Sequence, residues 1–229
     1  MPMQTCMGAK MKCSFGVAPS TLIPTPKTVQ TNYVQRSFFG STAGDSSPRG
    51  FSGGFQGEIF PWAGTNSPVA PLFFAANVTG TSSSAQGPVI GIGGDFATTQ
   101  FKVNGQAQVL AGWQFQVAPR VFISPLLGVS AINGRGTAIS NEIPGGGNAN
   151  SFTQNKTFFG PTGGFKIATD ITPRAQVFFM YSYTWFSGTV SPGGTSSLGS
   201  VTTSNINVGG SSSAYLGLSF AFGAPPPPP

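Results

Sequence analysis

The stretch QFKVNGQAQVLAGWQFQVAPR, residues 100–120, decides the fold because it alternates along almost its whole length. From Phe101 to Val117 the odd positions are apolar or small, whereas most of the even positions are polar. A period of two is typical of a β-strand whose two faces meet different surroundings. The run greatly exceeds the roughly 5 to 6 residues of an ordinary strand. A tilted strand that crosses a bilayer fits its length better.

The composition excludes several classes of protein. Only 7% of the residues are charged, against about 25% in an average soluble domain, and no apolar run is long enough for a membrane-spanning helix. The net charge of +6 is scattered along the chain, which argues against nucleic-acid binding. Because the chain has no His and only 2 Cys, Ser–His and Cys–His catalysis and a closed zinc site are excluded. We therefore expect neither an enzyme nor a metal or other cofactor.

Turn and loop signals divide the chain into strands of about ten residues. The apolar parity changes between Phe96 and Phe101, which predicts a hairpin turn at residues 97–100. Tight turns are predicted at 118–120 and 170–173, and long polar loops at 133–156 and 188–210. Short turns that alternate with long loops, and a total of about eight strands, are typical of outer-membrane barrels. The predicted fold class is all-β, an antiparallel up-and-down transmembrane β-barrel.

The charged residues within strands fall on the face opposite to the apolar one. Parity places Glu58, Asp95, Lys102 and Lys166 inward, as expected because Arg or Lys at the bilayer midplane costs about 2 to 4 kcal/mol. An eight-stranded barrel is just wide enough to be filled by side chains. We predict that these four residues pair in a charged network in the lumen. The alternative is that they are solvated charges near the barrel mouths.

Three aromatic residues are candidates for the girdles that flank the apolar band of a membrane barrel. Trp113 lies near the end of the long alternating stretch, and Tyr183 and Trp185 share one face of the segment AQVFFMYSYTW. In the alternative interpretation, the same residues pack in the core of a soluble barrel.

The C-terminal residues Tyr215–Gly223 alternate and are followed by a proline run. This ending, with the turns Ala118-Pro119-Arg120 and Thr172-Pro173-Arg174, resembles OmpA-type (porin or opacity-like) outer-membrane β-barrels over about residues 30–229. The resemblance implies insertion by the barrel-assembly machinery and a role in envelope integrity or adhesion. Residues 1–26, with Cys6-Met7-Gly8-Ala9, resemble instead the start of PAAR-like proteins that cap secretion spikes.

These patterns predict three parts of the chain: a PAAR-like or irregular segment at 1–28, a β-barrel at 29–223 and a Pro-rich tail at 224–229. The predicted function is that of a small bacterial outer-membrane β-barrel with a structural, adhesion or limited small-solute-passage role and a filled lumen. Expected partners are outer-membrane lipid, the barrel-assembly machinery and an extracellular ligand bound through the long loops, and we expect a monomer. The alternative is a PAAR-like, spike-associated or secreted β protein.

Overall fold

The computed structural model describes residues 12–222, apart from 36–37, 45–51, 64, 66, 82–83, 88, 93–94, 143–147, 173 and 197–199. Within this part of the chain, no helix is long and apolar enough to cross a membrane. The strands are β1 (Lys12–Gln35), β2 (Phe38–Gly44), β3 (Ser52–Phe60), β4 (Leu72–Thr81), β5 (Ser84–Gln86), β6 (Ile90–Ile92), β7 (Asp95–Trp113), β8 (Phe115–Ala118), β9 (Val121–Glu142), β10 (Asn148–Thr172), β11 (Ala175–Val190), β12 (Gly193–Thr195) and β13 (Val201–Phe222).

The strands pair in an antiparallel sheet that follows the chain order. The pairing runs β1–β3–β4–β7–β9–β10–β11–β13, and β13 in turn pairs with β1 over most of its length. Each of these eight long strands therefore has a partner on both sides, which leaves no unpaired edge among them. The short strands β2, β5, β6, β8 and β12 pair with long strands at the two ends of the barrel.

An apolar belt surrounds the half of the barrel nearer the short turns. On β9 it runs from Ile123 to Ala131, which is about nine residues and matches the length of a tilted strand that spans hydrocarbon. Leu127, near the middle of the belt, is 72% exposed. Other large members are Phe55, Phe74, Val78, Val109, Val129, Phe159, Phe165, Ile167, Phe179, Tyr181, Leu216, Leu218 and Phe220.

Beyond the belt, the barrel continues in what we term the distal extension. It comprises residues 95–104 of β7, 133–142 of β9, 148–157 of β10, 187–190 of β11 and 201–208 of β13. Its outer face is polar, with exposed side chains that include Lys102, Asn104, Arg135, Thr153, Asn155, Thr203, Asn205 and Asn207.

Two strands change which parity faces inward where the belt meets the distal extension. In β7 the buried residues are Gln106, Gln108 and Leu110 inside the belt, but Phe101 and Val103 beyond it. Asn104 is the extra residue, since Val103 pairs with Gly134 while Gly105 pairs with Asn133. A β-bulge of this kind inverts the faces of the strand beyond it.

In β13 the same inversion occurs at Gly209 and Gly210, and Gly210 has a φ of 66°. Glycine adopts this left-handed conformation without the penalty that a β-carbon brings. By contrast, β9 keeps one parity inward throughout, and only the residue types on its outer face change.

The predicted tight turn at 118–120 is confirmed: β8 ends at Ala118 and β9 begins at Val121, with Arg120 at a φ of 65°. The predicted hairpin at 97–100 is wrong, because these residues lie inside β7 and the change of parity comes from the bulge at Asn104. The predicted loops at 133–156 and 188–210 are largely wrong as well. Most of both stretches is strand, since polar residues are allowed on the outer face of the distal extension.

The N-terminal division of the chain also differs from the strand bounds. Residues 12–28, which the sequence assigns to a separate segment, form more than half of β1. This part of β1 pairs with β13 on one side and with β3 on the other. Residues 1–11, with Cys6, and 223–229 lie outside the described residues.

Candidate functional site: the barrel interior

A buried ion pair crosses the lumen. Glu58 on β3 and Lys166 on β10 have inward side chains that are 2% and 3% exposed, and Glu58 Oε1 lies 2.5 Å from Lys166 Nζ. Because β3 and β10 are not neighbours in the sheet, this contact spans the inside of the barrel. Buried charges persist when they are paired in this way, because each would otherwise lose its hydration without compensation.

The surroundings of the ion pair complete its polar contacts. Gln56 Nε2 donates a hydrogen bond to Glu58 Oε1 at 2.5 Å. The ammonium group of Lys166 lies 5.0 Å from the ring centroid of Phe178 and 6.0 Å from that of Phe73. Such cation–π contacts gain strength when the site is desolvated. Within the pair, Glu58 is therefore also contacted by an amide, and Lys166 by two aromatic rings.

The ion pair is embedded in an apolar cluster that fills the lumen on the side of the short turns. We term it the proximal cluster. Its buried members come from strands on all sides of the barrel: Phe60, Phe73, Ala75, Leu110, Leu126, Ala168, Phe178, Met180 and Tyr215. The rings of Phe60 and Phe73 stack with centroids 4.9 Å apart. This end of the barrel is thus occupied by hydrocarbon around one ion pair.

A polar layer lies next along the barrel axis and also bridges strands across the lumen. Gln108 Nε2 on β7 donates to Ser182 Oγ on β11 at 3.1 Å, and Ser213 Oγ on β13 donates to Gln106 Oε1 at 2.8 Å. On the other side Thr79 Oγ1 on β4 donates to the Tyr215 hydroxyl at 3.2 Å. These strands are not neighbours in the sheet, so these bonds also cross the interior.

Hydroxyl groups extend this polar layer around the wall. Thr162 Oγ1 lies 2.6 Å from Ser130 Oγ and 3.0 Å from Thr184 Oγ1, which in turn accepts a hydrogen bond from Gln106 at 3.4 Å. A continuous network therefore joins β9, β10, β11, β7 and β13. Networks of this type stiffen a buried interior when their members are satisfied.

A second apolar cluster, the distal cluster, closes the interior of the distal extension. Its buried members are Phe101, Val103, Ile132, Phe158, Val190, Ile206 and Val208, with Phe186 packed against them. The Phe158 and Phe186 rings stack with centroids 5.3 Å apart. Further out, Thr99 Oγ1 and Ser204 Oγ form a hydrogen bond of 2.6 Å. Along the axis, the lumen is therefore filled in the order apolar, polar, apolar.

The four charged residues expected in the lumen have three different outcomes. Glu58 and Lys166 lie together as described. Lys102 is exposed on the outer face and does not approach Glu58, because the bulge at Asn104 inverts this part of β7. Asp95 begins β7, and its side chain lies outside the described part of the chain.

The three predicted girdle aromatics lie toward opposite ends of the belt. Trp113 ends β7 beside the short turns and is half-buried. Tyr183 and Trp185 lie near the other end, with their rings in an edge-on contact at 5.1 Å. Gly163 is tightly covered, since a β-carbon there would lie 3.1 Å from the Trp185 ring. The exposed Trp185 ring thus lies over the backbone of Gly163, which pairs with Leu127 in the belt.

The sequence interpretation missed the hydroxyl members of the polar layer and the whole distal cluster. The distal interior carries a signal: Ile132 and Ala138 on β9, and Ile206 and Val208 on β13, fall on single faces of stretches that otherwise look like loops. Among the described residues, no group of three or more His, Cys, Asp or Glu side chains could hold a metal ion.

An antiparallel ring of eight strands with an apolar belt outside and a filled, partly polar interior defines a small membrane-spanning β-barrel. Solved outer-membrane proteins share this fold. The outer membrane protein OprG from Pseudomonas aeruginosa matches with a TM-score of 0.54 at 11% identity, over 92% of this chain and 96% of that one. A major outer membrane protein from Thermus thermophilus matches with a TM-score of 0.52 at 12% identity, over 92% and 99%.

No family model and no curated protein sequence matches the chain. At such low identity, the likeness to solved structures concerns the fold. It confirms the predicted fold class, an antiparallel transmembrane β-barrel.

Proposed function

We propose that this protein is a non-conducting outer-membrane barrel with a structural or adhesive role, and that its lumen is a filled core instead of a path for solutes. The observation that carries the proposal is the set of contacts across the lumen, namely the Glu58–Lys166 ion pair and the bonds of Gln106 and Gln108. Two apolar clusters flank them. To pass, an ion would have to displace side chains of the proximal cluster, the polar layer and the distal cluster.

Electrophysiology on the purified, folded barrel in planar lipid bilayers tests this proposal. We expect no current steps from the native chain. A variant with Phe73, Gln108 and Phe101 changed to Ala, one large side chain from each level, should conduct if it folds. The matched control changes the outward residues Phe74, Val109 and Phe159 to Ala. Steady single-channel current steps from the native chain, with the same conductance in the control variant, would refute the proposal that the lumen is filled.

The proposal also assigns the distal extension to the cell exterior, because the short turns of such barrels are periplasmic. With Cys6 and Cys13 changed to Ser, Ser151→Cys in the extension should react with an impermeant maleimide on intact cells. Arg120→Cys, in a short turn, should react only after the outer membrane is permeabilised. Labelling in the opposite order would invert the orientation.

Several predictions accompany this function without a test in the structure. We expect insertion by the barrel-assembly machinery, a monomer and an extracellular ligand bound outside the belt. That the protein is not an enzyme, and the PAAR-like resemblance of residues 1–26, also stay predictions.

A further inference from the structure

We infer that Lys102 and Arg135 bind a phosphate group on the outer face of the barrel, just beyond the apolar belt. The two residues are directly opposite each other across β7 and β9, and both side chains are exposed. Side chains in such positions have β-carbons about 4.5 to 5.5 Å apart, and like charges there repel. An anion between them would turn this repulsion into attraction.

The cleft around the two cations supplies further donors. It has a volume of about 340 Å³ and is lined by Ser84, Gln100, Lys102, Arg135 and Thr137. Hydroxyl and amide groups can donate to phosphate oxygens, while a guanidinium group can bind two of them at once. None of the lining residues is acidic. In the described part of the chain, the only ion pair is Glu58–Lys166, so neither Lys102 nor Arg135 has a carboxylate partner there.

The height of the cleft suits the polar surface of a bilayer. The belt ends at the pair Ala107–Ala131. Along β9, Arg135, which pairs with Lys102, lies four residues beyond Ala131. Four residues at about 3.3 Å each, on a strand tilted by about 40°, correspond to roughly 10 Å along the membrane normal. The row between them contains Asn104, whose amide donates to Asn133 Oδ1 at 2.6 Å. Long basic side chains at this height reach the headgroup layer.

The ligand chemistry is a terminal phosphate group, which either a membrane lipid or the aqueous medium could supply. The test is native mass spectrometry of the folded barrel in detergent. It is titrated separately with phosphatidic acid, with the matched uncharged diacylglycerol, and with inorganic phosphate. Lys102→Gln and Arg135→Gln are compared with the control Lys156→Gln, which removes another exposed cation whose ammonium group bonds Thr189 O at 2.9 Å.

We expect each cleft variant to bind phosphate about tenfold more weakly than the native barrel, since it loses a charge-assisted contact, and the control to bind normally. Added salt should weaken binding, because the site is exposed. If phosphatidic acid binds tightly and inorganic phosphate binds weakly, the ligand is a lipid headgroup. If the two bind equally well, the ligand is a soluble phosphate. Native affinity in both cleft variants, or equal binding of diacylglycerol, would overturn the inference. Heat-modifiable gel migration verifies that each variant is folded.

Discussion

The apolar belt and the distal extension are built from the same strands but differ in the polarity of their outer faces. Inside the belt, apolar side chains such as Leu127 point outward, and Gln108 and Lys166 point inward. In the extension, Asn155 and Arg135 point outward, while Phe101 and Ile206 are buried within. The belt resembles other membrane barrels, and the extension has the pattern of a water-soluble barrel. The difference shows that the surrounding medium, lipid or water, sets the polarity of the outer face.

The strands meet this requirement in two ways. In β9 the inward parity is constant, and the outer residues change from apolar to polar along the strand. In β7 an inserted residue, Asn104, exchanges the faces. The second route makes the faces of β7 depend on the number of residues at the bulge.

The largest expected effect follows deletion of Val103 together with Asn104. β7 beyond Gly105 would then present Lys102 to the distal cluster and Phe101 to water, unless its pairing breaks. An unpaired buried charge costs several kcal/mol, so we expect little folded protein, as measured by heat-modifiable migration. Deletion of Asn104 alone is the control, because it removes only the extra residue, leaves Val103 opposite Gly134 and should fold. Normal folding of the double deletion would mean that the two faces of β7 do not depend on the number of residues at the bulge.

Breaking the ion pair should have the next largest effect. Lys166→Ala or Glu58→Ala leaves one buried charge without its partner, at a cost of about 3 to 5 kcal/mol. The double variant Glu58→Gln with Lys166→Met keeps similar volumes without charge, and should recover most of this loss. Urea unfolding in lipid vesicles, followed by tryptophan fluorescence, measures both. A single variant as stable as the native barrel would show that the pair contributes no net stability.

A charge on the outer face distinguishes the two regions directly. Leu127→Arg lies near the middle of the belt and should destabilise the barrel by about 2 to 4 kcal/mol. Ser151→Arg, also exposed but in the distal extension, should change the stability by less than about 0.5 kcal/mol. The same unfolding measurement compares them. Equal effects would mean that the belt and the extension meet the same medium.

The smallest expected effect concerns packing in the distal cluster. Ile132→Val removes one buried methylene and should cost about 0.5 to 1.5 kcal/mol. Val129→Ala, on the lipid-facing side of the same strand, should cost less because lipid chains fill the space. Hydrogen exchange should locate the Ile132→Val effect in the extension. A larger effect from Val129→Ala would contradict a packed distal core.

Alternation in the sequence predicts the barrel, the belt and the inward direction of Glu58 and Lys166, because β3 and β10 keep one parity. It fails at Lys102, since a one-residue bulge has no local signature in FKVNGQ. It also treats most of the distal extension as loop. Serine, threonine, asparagine and glycine are frequent in loops, and only their pairing partners make these residues strands. The partners of Glu58 and Gln108 depend on the spatial arrangement, which no single stretch encodes.

The pairing of β1 with β13 has a consequence for how the barrel is assembled. Cys13 pairs with Phe222, and Ser14 with Ala221, so this seam joins opposite ends of the described chain. Contacts of such long sequence separation slow folding, because the chain must lose entropy before they form. Every other pair of neighbours in the ring of eight consists of long strands that follow one another along the chain. We therefore expect the adjacent hairpins to form first and the terminal seam to be the late, rate-limiting event.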